Sequence, residues 1–307
     1  MKSIVVLMSL YNGAKYLEEQ IDSILKQENV NLTLVIRNDG SKDNSNEIIS
    51  KYLEKYNNIK LIDEENIGLA RSFMKLLYSA KLDYDYYCFA DQDDVWLPNK
   101  LYEAIIKLEN KQIPTLYASN QSLVDSNLVD IGIRYKDNVD VTYKQIISNN
   151  KIAGCTFVWN KKLQEILSNE KRRPSDELLK KRIHDVWVAA VASVAGEIIY
   201  DSNSYIRYRQ HQNNVVGVKK QSRIKTFIKK YKNKDLRCGR STLAKELYFK
   251  YNDLIINEEI KNELNILGNY QDNRKLKKEL LKRKDIYKVY NNESNFEFKF
   301  KVNRKLF

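Results

Sequence analysis

Three carboxylates fall within four residues at Asp91-Gln92-Asp93-Asp94. They close Tyr86-Tyr87-Cys88-Phe89-Ala90, a run aromatic and apolar enough to form a short buried strand. Acids this crowded repel one another unless a cation sits among them. Mg2+ or Mn2+ suits them, as a hard ion that takes one or two carboxylates and keeps other positions for substrate phosphates. The spacing therefore predicts a metal–diphosphate site at the carboxyl edge of a sheet, where α/β folds bind ligands. The same acids also suit a turn, and Asp93 or Asp94 would serve as N-cap of a helix starting near Pro98. Alone, the cluster leaves these readings level.

Other residues add chemistry to it. Tyr11-Asn12-Gly13 follows a first apolar run, and Asn38-Asp39-Gly40-Ser41-Lys42-Asp43 follows a second. Gly40 permits a positive φ, Ser41 or Asp43 can cap the next helix, and Asp39 is placed to meet a ligand over the sheet edge or to close an Asx-turn. Asp185 stands at the onset of an apolar helix, where an ionised carboxylate is favoured, with His184 and Trp187 nearby to orient it. Arg207, Arg209 and His211 alternate, so a strand would turn all three to one face, as cations for a diphosphate or, for His211, a metal.

The elements that must position these residues are legible as alternating patterns. Ser3–Ser9, Leu32–Arg37, Ile59–Ile62, Tyr86–Ala90 and Thr115–Ala118 read as strands, with helices over Lys15–Gln27, Asn44–Tyr56 and Leu69–Ala80 between them. This alternation argues for a mainly parallel sheet flanked by helices. Beyond Asn120 the pattern loosens. Cys155–Trp159, Ile198–Tyr200 and Tyr205–Tyr208 read as strands, and Lys161–Leu167 and His184–Val194 as helices, the latter mostly buried. Leu243–Ile255 and Arg274–Tyr290 read as helices with apolar stripes, able to pack on the domain or to pair subunits as a homo-oligomer.

Charge divides the chain. The net +13 arises almost wholly from Gly217 onward, where 25 Lys+Arg face 11 Asp+Glu, against 28 and 29 in the remainder. Such a basic tail points to an anionic membrane or nucleic acid. Ile224, Phe227, Ile228 and Tyr231 keep helical spacing among Lys225, Lys229, Lys230, Lys232 and Lys234, a basic amphipathic helix suited to an anionic membrane surface. No nucleic-acid-binding motif accompanies the charge. No apolar run reaches the ~18–20 residues that span a bilayer. Cys88, Cys155 and Cys238 are scattered and suggest no disulfide framework, and Ile4–Met8 is too short for a signal peptide, so a cytoplasmic protein is expected.

Taken in order, Ile4–Leu10 with Tyr11-Asn12-Gly13, Asn38-Asp39-Gly40-Ser41, Asn66-x-Gly68-x-Ala70-Arg71 and Asp91-Gln92-Asp93-Asp94 resemble the inverting GT-A glycosyltransferases of family 2. His184-Asp185-x-Trp187 and Tyr208-Arg209-Gln210-His211-x-x-Asn214-Val215-Val216-Gly217 are similar to its rhamnosyltransferase-like branch, so the resemblance covers roughly residues 1–217. It implies a GT-A catalytic domain over 1–217, with a nucleotide-sugar half to about 118 and an acceptor half beyond, followed by a basic helical region over 218–307. It implies donor binding by Tyr11, Asp39, Arg71, Asp91, Arg207 and Arg209. Asp39 would accept the N3–H of uracil or thymine, since Asn38 replaces the first of the family's two acids. Metal binding would fall to Asp93 with Asp91 and His211, and general base catalysis to Asp185. The implied reaction moves L-rhamnose from dTDP-rhamnose, or a hexose from a UDP-sugar, to a lipid-linked glycan at the inner membrane surface. An aspartate-based Mg2+ phosphohydrolase, with the first Asp as nucleophile, is the rival from the carboxylates alone. A nucleic-acid-binding protein is the rival from the tail.

Overall fold

A computed structural model describes residues 1–211, 238–283, 285–286 and 295–307. The basic amphipathic helix expected around Ile224–Lys234 and the Asn214–Gly217 segment lie outside these residues. The chain forms two compact units. One comprises residues 1–139, 152–168 and 197–218; the other comprises 140–151, 169–196 and 219–307. In place of the single boundary expected at Gly217, two earlier segments thus group with the C-terminal helices.

Among the described residues, the first unit is built on a nine-stranded sheet. Strands β1 (Lys2–Leu10), β2 (Val30–Asp39), β3 (Ile59–Glu64) and β4 (Tyr86–Ala90) pair in parallel in the order β3-β2-β1-β4. Helices α1 (Ala14–Leu25), α2 (Ser45–Lys55) and α3 (Leu69–Ser79) make the crossovers. Ile4 to Met8 are almost wholly buried, as the unbroken apolar run of a strand covered on both faces requires. Each such side chain contributes about 1.5–3 kcal/mol of burial free energy. Register does the functional work. Leu10 lies opposite Asn38 and Met8 opposite Ala90, so Tyr11, Asp39 and Asp91 leave adjacent strands at one sheet edge.

The rest of the sheet is mixed. β6 (Thr115–Val124) runs antiparallel to β8 (Val158–Asn160) and parallel to β9 (Glu197–Arg209). The strand expected at Cys155–Trp159 begins instead with a 3-10 turn at Gly154–Thr156. The two short strands expected at 198–208 are one, kept continuous across two register shifts against β6. Two elements had no sequence signal: β5 (Val95–Trp96), which pairs Val95 with Arg207, and the edge strand β7 (Asp130–Ile133). Helix α4 (Lys100–Leu108) has Asn99 at its N-cap, so neither Asp93 nor Asp94 caps a helix.

The second unit is helical. Its described helices are α5 (Tyr143–Asn149), α7 (Asp176–Lys181), α8 (His184–Ala195), α9 (Gly239–Tyr251), α10 (Glu258–Asn269), α11 (Arg274–Leu280) and α12 (Asn295–Asn303); α6 (Lys161–Ser168) belongs to the first unit. Helix α8 is apolar on every side and nearly all buried, as a helix without a solvent face must be. Glu263 is buried among Tyr143, Lys144 and Arg283, and Asp285 bonds both cations. Among the described residues, no helix is long and apolar enough to cross a membrane.

Candidate active site

Two strand-end loops lock together at the sheet edge. Asn12 N–H donates to Ser41 Oγ at 2.9 Å, and Asn12 Oδ1 accepts the Lys42 N–H at 2.8 Å. Asp43 accepts from Ala14 N–H and from the Ser45 hydroxyl and N–H. Burial alone would raise the Asp43 carboxyl, yet these bonds hold it below its ordinary range. Asp43 is therefore a strut between loops; the helix cap itself is Asn44, without a side-chain bond. Gly40, at φ 71°, lets the second loop turn back. Asn38 is equally structural. Its amide donates to Asn46 and Asp63 and accepts from Ser41 N–H, a pattern that an aspartate beside Asp63 could not make.

Asp39 sits at this edge but is only 2% exposed. Its Oδ1 accepts from Arg37 Nη1 at 2.5 Å and Ile67 N–H at 2.8 Å, and its Oδ2 accepts from Gly68 N–H at 2.9 Å. Fully buried Arg37 also reaches Glu64, the Glu65 carbonyl and Ser72 Oγ. Asp39 thereby fixes the start of α3, where Arg71 lies half-buried in the first turn. A carboxylate with three bonds made keeps little acceptor capacity, so its expected contact with a nucleobase is limited to a remaining lone pair. Arg37 reads as an ordinary mid-strand residue and gave no sequence signal.

The carboxylate turn follows β4. Asp93 Oδ2 bonds His211 Nε2 at 2.8 Å, joining the two residues across 118 positions of chain. Arg209 N–H donates to Asp94 Oδ1 at 3.1 Å, and Arg209 Nε to the Asp93 carbonyl at 2.9 Å. Carboxylate oxygens of Asp91 and Asp94 and the Cys155 sulfur lie within 4.8 Å of one another. Asp94 is fully buried, and its Oδ2 has no nitrogen or oxygen partner among the described residues. Burial, then the charges of Asp93 and Asp91, push the Asp94 carboxyl well above the usual range. Burial, then Asp94 and Asp91, also push the Cys155 thiol up, so the thiol keeps its proton and is a poor ligand for a hard ion. Among the described residues the cluster close enough to share an ion is Asp91, Asp94 and Cys155, and its two carboxylates suit a hard divalent cation whose charge would relieve their repulsion; Asp93, bonded to His211, lies outside that cluster.

The alternating basic residues do not share an environment. Arg207 is exposed, whereas Arg209 is 1% exposed and structural. Arg209 pairs with Glu19, donates to the Ser126 carbonyl and stacks over Tyr16 with its guanidinium 4.3 Å from the ring centroid. Its expected place among open phosphate-binding cations is corrected accordingly: the fold uses its charge to hold the turn. His211 also meets Tyr16, ring centroids 5.3 Å apart. With Gln20, which donates to the Asp91 carbonyl at 2.7 Å, Tyr16 and Glu19 make α1 a wall of the site. Tyr16 gave no sequence signal as a site residue. Tyr11 is 45% exposed at the loop tip.

Asp185 lies in the second unit, in the first turn of α8. It is buried, and its Oδ1 accepts the Val186 N–H at 2.6 Å. The N-cap position belongs to Ile183, so Asp185 is not the cap. Burial pushes the adjacent His184 down to about 3, which keeps its imidazole neutral.

A parallel half-sheet ending in a carboxylate turn is an α/β architecture of the kind that binds ligands at its strand ends. Residues 5–166 match the family described as Glycosyl transferase family 2. Over 224 residues the chain is 30% identical to dTDP-rhamnosyl transferase RfbG of Shigella flexneri, covering 68% of this chain and 73% of the relative. It spans 64% of the length of two further curated relatives. Among solved structures, residues 1–349 of S. aureus TarS superpose with a TM-score of 0.57 at 16% identity, covering 98% of this chain and 81% of that one. Mannosyltransferase PcManGT from Pyrobaculum calidifontis, in complex with GDP-Man and Mn2+, gives 0.51 at 17% identity, covering 87% and 69%. The chain belongs to glycosyl transferase family 2, has the GT-A fold with a helical C-terminal region, and is a glycosyltransferase. The phosphohydrolase and nucleic-acid readings give way to this one.

Proposed function

We propose that the protein is a divalent-metal-dependent inverting glycosyltransferase that takes a pyrimidine nucleoside diphosphate sugar, with dTDP-L-rhamnose first and a UDP-hexose second. The turn after β4 carries the reading, because it sets three carboxylates, one of them bonded to the His211 imidazole, where the parallel strands end. Likeness to RfbG, itself named a dTDP-rhamnosyl transferase, supports the choice of donor. Asp91, Asp93 and His211 would hold the ion, which would offset the charge developing on the leaving diphosphate. The loop at Tyr11 would line the nucleoside, with Asp39 beneath it. Arg71 and exposed Arg207 would face the phosphates, while Arg209 keeps the turn in place. Asp185 would take the proton from the acceptor hydroxyl as it attacks opposite the departing diphosphate. A lipid-linked glycan on the inner face of the cell membrane is the proposed acceptor, and the C-terminal basic residues are the proposed membrane contact.

Titrating a panel of nucleotide sugars with and without Mn2+ tests this. Metal-dependent binding of a dTDP- or UDP-sugar, lost on Asp93→Ala without a change in folding, is expected. Unchanged nucleotide affinity in that variant removes Asp93 from the site. Charge reversal of Lys225, Lys229, Lys230, Lys232 and Lys234 should release the protein from anionic vesicles. Retained binding puts the membrane contact elsewhere.

A further inference from the structure

Of the four residues in the carboxylate turn, Gln92 alone carries no charge, and no step above uses it. Its amide nonetheless makes two directional hydrogen bonds. Gln92 Oε1 accepts the Tyr11 N–H at 2.8 Å, and Gln92 Nε2 donates to the Tyr11 carbonyl at 3.1 Å. The side chain thus pairs with the Tyr11 residue as a neighbouring strand would, across 81 positions of chain. Gly13 supplies an independent sign of the same fit. A Cβ there would stand 2.7 Å from Gln92 Cδ and from Leu10 Cδ1 and 2.8 Å from Gln92 Oε1, so a methyl group would displace the amide or the leucine. Tyr11 is 45% exposed, and both its backbone N–H and its carbonyl bond the Gln92 amide.

We propose that Gln92 is a positioning residue that couples cation occupancy of the carboxylate turn to the shape of the nucleoside pocket. Asp91 and Asp93 flank it in sequence, so a cation that draws their carboxylates together moves the backbone from which Gln92 extends. The amide passes that displacement to Tyr11 through two directional bonds. Only a glutamine can do both: glutamate lacks the donor to the Tyr11 carbonyl, and asparagine is one methylene short. The inference rests on the proposed donor site in two respects, that a cation occupies the carboxylate turn and that the Tyr11 loop lines the nucleoside.

A nucleoside without phosphates separates this coupling from direct metal–phosphate contact. Dissociation constants of thymidine and uridine, measured by NMR titration with and without Mn2+, should differ by about fivefold or more in the intact protein, the lower range of allosteric couplings. In Gln92→Ala the difference should shrink below about twofold, while the affinity for Mn2+ alone, read by its EPR signal, changes little. Gln92→Glu, which keeps the acceptor and loses the donor, should fall between. Gly13→Ala should lose the coupling in the intact protein and add little on top of Gln92→Ala, the non-additivity of residues that act through one contact. In the ligand-free protein the Tyr11 amide should exchange at least about tenfold faster in Gln92→Ala, with the β1 amides unchanged. Undiminished coupling in Gln92→Ala, or no coupling in the intact protein, overturns the proposal. So does unaltered Tyr11 exchange. Failure of the intact protein to bind either nucleoside or any nucleotide sugar would instead defeat the donor-site reading, and the exchange experiment would still judge the clamp.

Discussion

Buried charge occurs in both units, and its balance differs. In the helical unit Glu263 is enclosed by Arg283, Lys144 and the Tyr143 hydroxyl, and Asp285 bonds both cations. Arg283 first, then Lys144, hold the Asp285 carboxyl far below its ordinary range. At the sheet edge Asp91, Asp93 and Asp94 crowd together, Arg209 reaches them with a backbone N–H and a bond to a carbonyl, and the Asp94 carboxyl is driven upward. The comparison teaches that buried charge is no mark of a site. Charge of one sign with unmet need is, because stability alone would have paired or removed it.

Four experiments would break or sharpen this contrast. The largest effect is expected at Asp185, the one residue of the helical unit assigned chemistry. Asp185→Asn should lower the rate of sugar transfer by ~10²–10⁴-fold with donor affinity retained. Near-normal turnover would leave the helical unit with no chemistry. Next comes the Arg37–Asp39 pair, where Arg37→Met should cost about 3–5 kcal/mol of stability by leaving Asp39 buried without its cation. Urea denaturation measures that loss, and nucleotide affinity should fall with it because Asp39 fixes the start of α3. Glu263→Gln should cost stability through its partners, about 1–3 kcal/mol, but leave the nucleotide dissociation constant where it was. A shift in that constant would erase the distinction between balanced and unbalanced charge.

The last effect concerns pH. His184 is neutral in the folded chain down to about 3, whereas in the unfolded chain it gains a proton near pH 6.5. Unfolded chains therefore bind more protons between these values. The stability associated with neutral His184 is complete above about pH 6.5 and is lost as pH falls toward 3, at no more than ~1.4 kcal/mol per unit. His184→Gln should flatten that limb of a denaturation series; an unchanged slope would assign the acid sensitivity to other groups.

The parallel half of the sheet was readable from sequence because its strands are short, apolar and separated by amphipathic helices. Tyr86–Ala90 was placed to the residue, while Ser3–Ser9 and Leu32–Arg37 each fell short at both ends. The residues at the strand ends were readable too, since register alone brings Tyr11, Asp39 and Asp91 to one edge. What escaped was side-chain partnership across long separations. Arg209 looked like an open cation because alternation gives a face but not its cover, here Glu19 and Tyr16 from α1. Arg37 and Gln92 escaped for the same reason: nothing in their own neighbourhoods tells that they bond Asp39 and Tyr11. β5 and β7 are too short for any periodicity to register.

The order of the strands also bears on how the chain is made. β4 and its acidic turn precede β9 by more than a hundred residues, yet β5 pairs with β9, and Asp93 and Asp94 find His211 and Arg209 only there. At bacterial-to-eukaryotic elongation rates of about 5–20 residues per second, the 118 positions from Asp93 to His211 take roughly 6–24 s to synthesise. Through that interval the nascent half-sheet carries a knot of like charges. Soluble divalent ions or a chaperone reaching the ribosome-bound chain would meet the acidic turn before its own protein partners do.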